Sequence, residues 1–307
     1  MKEISRTKSA LILAFLVIIW GINWPLSKLA LIYTPPLLFA GIRTFLGGLI
    51  LLIFALPKWK ELRFKENWHL YTISAVLNII MFYGLQTIGL GYMPAGLFSA
   101  IVFIEPVLLG IFSWIWLGES MYGLKIAGLA LGFAGVAVIS SGGFTGSLSV
   151  TGILLALGSA LGWGLGTVFV KKTGGRVNSI WMVTMQLLIG GLILMGTGTG
   201  IERWSEIQWN TAFISDLLFI SIFVIAFGWL AFFTLVGSGE ASKVGSYTFL
   251  IPLIAIIVSS LLLHESITIN LVAGLIFILL SICLVNMPVK NRKRGKPNDA
   301  EPVQQIQ

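Results

Sequence analysis

Glu105, followed directly by Pro106, stands near the centre of an apolar run at residues 95–117. If that run crosses a bilayer, the carboxyl is costly unless paired or hydrated, and such groups usually mark a substrate path or a proton site. Pro106 removes a backbone hydrogen bond and can kink the helix, turning carbonyls toward a cavity. Arg43 is the matching cation. It lies about three residues outward of the centre of the run at 36–56, roughly 4.5 Å along a helix and close to the depth of Glu105. The two either approach each other across a cavity or compete for a charged substrate. Alternatively, Arg43 snorkels toward the outer interface. A helix-packing carboxyl held by hydroxyls is the bland reading of Glu105.

Around these charges stand polar and aromatic residues of the kind that line a binding cavity. Trp20, Asn23 and Trp24 fall in the first apolar run and Trp163 in the sixth. They offer flat walls and hydrogen-bond donors, and Trp20 is too near mid-span to belong to an interfacial belt. Tyr83, Gln86, Gln186 and Tyr247 can orient a ligand or equally bond helix to helix. Lys28 is placed where a long stem snorkels outward, with a substrate contact as the rival reading. Glu119 and Glu265 each precede a Ser at a helix end, so a structural role in the first turn of the following helix is expected. Gly128 and Gly132 have the spacing of closely approaching helices, within the chain or in a homodimer.

The elements that must hold these residues are helical. Hydrophobic residues make up 57% of the 307 and charged residues 10%; mean hydropathy is +0.95. Apolar runs recur at about 9–31, 36–56, 68–90, 95–117, 122–142, 150–171, 178–198, 212–235, 241–263 and 268–287. Each is long enough to cross a hydrocarbon core. The expected fold is therefore an all-α integral membrane protein of ten transmembrane helices. Residues 1–8 precede the first span, and a polar, basic tail expected to be disordered occupies 288–307.

Of the 20 Lys and Arg, 17 fall in segments on one side of the ten spans if the N-terminus is inside; only Arg203 lies opposite, with Lys28 and Arg43 within spans. Basic segments are retained in the cytoplasm, so both termini are expected there. The +8 charge is thus spread over loops and a tail, which argues against a nucleic-acid-binding face. The first apolar run is too long for a secretory signal and is kept as a span. Cys283, the single cysteine, is expected to be a small buried hydrophobe.

The chain also repeats itself. Trp20-Gly21 recurs as Trp163-Gly164, and Lys28 recurs as Lys171 at the same offset. At a slightly longer offset, Pro106 recurs as Pro252 and Glu119 as Glu265. With five spans in each copy, 9–142 and 150–287, the repeats are inverted, a pattern of secondary transporters. The copies differ where charge matters: Ile251 replaces Glu105, Gln186 stands near the place of Arg43, and His264 replaces Gly118.

Four passages carry a family resemblance: Trp20-Gly21-Ile22-Asn23-Trp24-Pro25, the arginine in Ala40-Gly41-Ile42-Arg43-Thr44-Phe45, Glu105-Pro106-Val107 with Leu117-Gly118-Glu119, and the glycines 128, 132 and 135. Together, from about Leu11 to Asn286, the chain resembles EamA-type transporters of the drug/metabolite transporter superfamily. The resemblance implies a carrier in a bacterial cell membrane, commonly an exporter of amino acids or other small metabolites. Proton exchange is the coupling to test first, and import is the opposite direction. No HExxH, Walker loop or cysteine cluster occurs, so no cofactor, metal or catalytic residue is expected. An intramembrane enzyme and a membrane scaffold or receptor are the rivals from other classes.

Overall fold

The computed structural model describes residues 5–92, 95–141, 149–263 and 269–287. Six helices of 23 to 28 residues are long and apolar enough to cross a membrane. In the first half they are α1 (Arg6–Ala30), α2 (Pro36–Glu61, with a tight last stretch) and α3 (Phe64–Gly89). In the second they are α7 (Val150–Thr173), α8 (Ser179–Ile201) and α9 (Thr211–Ser238). Several begin on side-chain caps. Asn178 Oδ1 accepts from Ile180 N at 3.0 Å and Asn210 Oδ1 from Phe213 N at 2.8 Å, satisfying amides that the first turn leaves bare.

The fourth and ninth spans, expected to be continuous, are each broken. The fourth divides into α4 (Ala95–Val102) and α5 (Glu105–Leu117). The ninth divides into α10 (Ala241–Thr248) and α11 (Leu250–Leu263). Proline explains both positions. A proline ring excludes the carbonyl four residues earlier and supplies no N–H to it. Four before Pro106 is Val102, where α4 ends; four before Pro252 is Thr248, where α10 ends. The fifth span is α6 (Gly123–Ser141) and the tenth α12 (Ile269–Asn286).

The ten spans form two five-helix repeats of opposite sense, and their packing shows it. The second span lies along the seventh and the fifth along the tenth, each span against its own counterpart. Glycine lets the backbones meet there. A Cβ on Gly191 would stand 2.6 Å from Phe45 N, and one on Gly48 3.0 Å from Leu188 N. These are the same contact seen from the two copies, since Phe45 and Leu188, like Gly48 and Gly191, are related by the offset that links Trp20 to Trp163. In the other pair, a Cβ on Gly135 would sit 2.9 Å from Gly274 O. Gly128 and Gly132 face Ser281 of the tenth span, and Gly132 also faces Phe249. Their close approach is within the molecule, so these two glycines do not provide a homodimer face. Cys283 is exposed on the outside of the tenth span and not buried; with Ser281 and Val285 turned inward, Cys283 falls on the opposite face.

Candidate functional site

One narrow, partly open pocket, about 20 Å³ in volume, lies between the repeats. The first span contributes Trp20, Asn23 and Trp24, and the third Phe82, Tyr83 and Gln86. Phe103 comes from the break of the fourth span, Trp163 from the sixth, and Ile251 from beside the break of the ninth. The rings pack edge to face: Trp20 and Trp163 have centroids 5.5 Å apart at 71°, and Phe103 and Trp163 6.1 Å apart at 78°. Such pairs hold each ring by contact with the next. Six of the residues picked from sequence therefore surround one space. Phe82, Phe103 and Ile251 join them; the period of the third span and the proline breaks were the signals for them.

Wide (π) turns shape two walls. They cover Val76–Gly84 in the third span and Ile220–Phe227 in the eighth, which are counterparts in the two repeats. A π turn misaligns the carbonyl ladder, and neighbouring side chains take the carbonyls it turns outward. Trp20 Nε1 donates to Val224 O at 3.1 Å, and Ser159 Oγ donates to Phe82 O at 3.0 Å. Trp163, the counterpart of Trp20, is left with its indole N–H buried and unpartnered.

Arg43 does not meet Glu105 and does not snorkel. It is 0% exposed, clamped between the rings of Phe39 and Tyr83, whose centroids lie 4.7 and 4.8 Å from its guanidinium carbon. Nη1 donates to Ser27 Oγ at 2.8 Å and Nη2 to Thr87 Oγ1 at 2.9 Å. Among the described residues no carboxylate is within ion-pair distance of it. The acid that acts on it electrostatically is Asp216 of the eighth span, whose two oxygens are buried without hydrogen bonds. Sequence reasoning passed over Asp216, although a lone Asp inside an apolar span was signal enough.

Glu105 is 0% exposed, the first residue of α5, and neither carboxyl oxygen has a hydrogen-bond partner. It lies two residues beyond Phe103 but is not itself among the lining residues. Gln186 bonds helix to helix, its Oε1 accepting from Ser74 Oγ at 2.5 Å and Asn78 Nδ2 at 3.1 Å. Tyr247 is half-buried on α10, away from the cavity lining. Lys28 is exposed and donates to Leu90 O at 2.5 Å, closing the end of the third span.

Glu119 is structural but not in the way expected. It does not serve the helix that follows it. Gly118, at φ +67°, takes the left-handed turn that ends α5, and Glu119 then reaches across to the first turn of α10. There it accepts from Ala241 N at 2.6 Å, from Ser242 N at 3.2 Å and from Ser242 Oγ. Lys171 Nζ, the counterpart of Lys28, donates to it at 2.8 Å and also to Gly239 O at 2.5 Å. Lys125, 0% exposed, stands 3.7 Å from Glu119 and 3.2 Å from Glu240. Burial pushes the Glu119 carboxyl up, but the hydrogen bonds from Lys171 and Ser242 outweigh it and hold it below its ordinary value. Glu265 lies outside the described residues.

The family model of the EamA-like transporters matches the chain twice, over residues 7–141 and 150–287. The chain belongs to the EamA-like transporter family. Among EamA-like relatives, Uncharacterized transporter YvbV of Bacillus subtilis (strain 168) is 66% identical over 293 residues, covering 95% of this chain and 96% of that protein. A protein of Escherichia coli (strain K12) named "Probable amino-acid metabolite efflux pump" is 29% identical over 275 residues, covering 85% of this chain and 89% of its own length. A solved crystal structure superposes with a TM-score of 0.79 at 17% identity, over 92% of this chain and 97% of that one, and shares the fold. An EamA-like transporter with this double match is a multi-pass membrane protein whose substrate is a small molecule.

Proposed function

We propose that the protein is a secondary carrier that exports an amino acid or related small metabolite by alternating access, with Glu105 as the proton-exchanging group. The observation that carries this reading is the position of the aromatic cavity. It sits between the two repeats, beside breaks in corresponding spans, and such discontinuous helices are the usual place for substrate in inverted-repeat carriers. The name of the Escherichia coli relative supports the substrate class and the outward direction. The basic end of the bundle, with Lys58, Lys125, Lys171 and Lys243, is assigned to the cytoplasm, and both termini with it. Glu105 suits proton exchange because its buried oxygens have no competing partner. No catalytic step is assigned to the protein.

The test is a metabolite-resolved flux screen in everted membrane vesicles, with and without an imposed pH gradient. Uptake of an amino acid into everted vesicles, lost in Glu105→Gln when only the gradient drives it, is the expected result. Movement only in the opposite direction would make the protein an importer. No flux across a broad panel would instead leave a scaffold or receptor.

A further inference from the structure

The hydrogen bonds behind the cavity wall have a fixed direction, and that direction says what the wall presents to a ligand. A guanidinium only donates. Arg43 Nη1 lies 2.8 Å from Ser27 Oγ, so the serine oxygen accepts and its own hydrogen goes to Asn23 Oδ1 at 3.0 Å. Asn23 must then turn its carbonyl oxygen toward Ser27, which leaves its amide nitrogen free to donate into the cavity it lines. Trp229 makes the equivalent choice for Tyr83. An indole also only donates, and Trp229 Nε1 is 2.9 Å from Tyr83 Oη, so the phenol accepts there and keeps its hydrogen for another partner. Trp163 Nε1 is a third donor, buried with no acceptor in the protein.

Three donors thus stand on one small, mainly aromatic wall. The lining acceptor left bare is Gln86 Oε1. Unmet donors in such a place are expensive until something accepts from them. Arg43, which among the described residues has no carboxylate in ion-pair contact and feels Asp216 only at longer range, adds a positive potential behind the same wall.

We infer that the cavity recognises its substrate by a carboxylate, which Asn23 Nδ2, Tyr83 Oη and Trp163 Nε1 hold. Arg43, Ser27 and Trp229 are positioning residues that fix which way those donors point. Gln86 Oε1 receives an ammonium or amide N–H of the same molecule, and its apolar part packs on Trp20, Trp24 and Phe103. The inference rests on the cavity being the carrier's substrate site and narrows the substrate to carboxylates with an apolar body.

Four related compounds separate the groups: leucine, 4-methylpentanoate, leucinamide and 3-methylbutylamine. They are titrated by calorimetry into purified full-length protein in lipid nanodiscs. Leucine and 4-methylpentanoate are expected to bind at least ~10-fold more tightly than the amide and the amine, as loss of charge-assisted hydrogen bonds predicts. Trp163→Phe keeps a ring and removes one donor, so it weakens the two carboxylates and leaves the amine unchanged. Ser27→Ala releases Asn23 to reverse, which shrinks the discrimination, while Ser27→Thr preserves it. These last two variants separate positioning from a general loss of fold. Equal binding of all four, preference for the amine, binding of none, or discrimination unchanged in both Trp163→Phe and Ser27→Ala overturns the carboxylate inference. Vesicle export of a metabolite without a carboxylate overturns it while leaving the carrier standing; no flux for any metabolite overturns both.

Discussion

The carboxylate of Glu119, at the end of the fourth span, accepts a hydrogen bond from the backbone amide of Ala241, 122 residues further along the chain and in the other repeat. Ser242 beside Ala241 donates as well, and Lys171 Nζ, also of the other repeat, donates at 2.8 Å. One side chain therefore ties the fourth, sixth and ninth spans together at the basic end. Glu119→Ala leaves Lys125 and Lys171 without that anion. Breaking such a pair costs about 3 kcal/mol or more, and thermal unfolding in nanodiscs should drop accordingly. Hydrogen exchange across Ala241–Thr248 should rise at the same time. Unchanged protection there would mean that Glu119 does not hold α10 in place.

Acid should act on the same tie. The Glu119 carboxyl is held below its ordinary value, so the folded state binds its proton later than the unfolded chain does. Its stabilisation is complete above the ordinary carboxylate range, about pH 4, and is lost as the pH falls through the lower folded value. Glu240 shifts in the same direction, because hydrogen bonds with Lys243 and Lys125 outweigh its burial. Protection of α10 should therefore decline on acidification in the natural protein, and much less so in Glu119→Gln. Equal acid sensitivity of the two proteins would place the effect elsewhere.

Close packing of the second and seventh spans gives a test with a built-in control. A Cβ at Gly191 would meet the backbone of Phe45 at 2.6 Å, whereas nothing lies within 4 Å of one at Gly196 on the same helix. Gly191→Leu should cost about 3 kcal/mol, the upper part of the overpacking range, and lower the yield of folded protein. Gly196→Ala should be neutral or stabilise by about 0.5–1 kcal/mol through helix propensity. Size-exclusion profiles and melting temperatures compare the two.

Glu202 accepts from Leu37 N and Leu38 N, each at 2.8 Å, and so closes the first turn of the second span from the far end of the seventh. Pro36 starts that helix with no N–H of its own. Glu202→Ala should cost about 1–2 kcal/mol, the value of a good N-cap. The effect should appear as faster amide exchange at Leu37 and Leu38 with flux nearly intact.

The parts of this fold that depend on a residue's own neighbours in sequence were open to reading. The sterics of Pro106 and Pro252 are local, although only a kink at Pro106 was expected of them, and the indoles at 20 and 163 gather because they occupy corresponding places in related helices. The polar partners of Arg43 were also visible in principle. Asn23 and Ser27 are one helical turn apart, as are Tyr83 and Thr87, and each pair makes a polar stripe on an apolar helix. The destination of Glu119 was not legible. Spacing places a carboxylate at a helix end, but which of the other helix N-termini it meets depends on how the repeats interlock. The expected Arg43–Glu105 encounter went wrong for a related reason: similar depth in a bilayer fixes height and leaves the azimuth around the bundle free.

The wide turns at Val76–Gly84 and Ile220–Phe227 bear on history as well as on shape. A π turn is a local insertion of one residue into a helix, and it survives where it serves a site. Here the same irregularity occupies the corresponding place in both halves, although different side chains take its carbonyls, Ser159 in one and Trp20 in the other. A single ancestral five-helix unit that already carried the bulge accounts for both. On that account the irregular backbone is what the two halves hold in common, while the buried charges, Arg43, Glu105 and Asp216, each stand in one half alone.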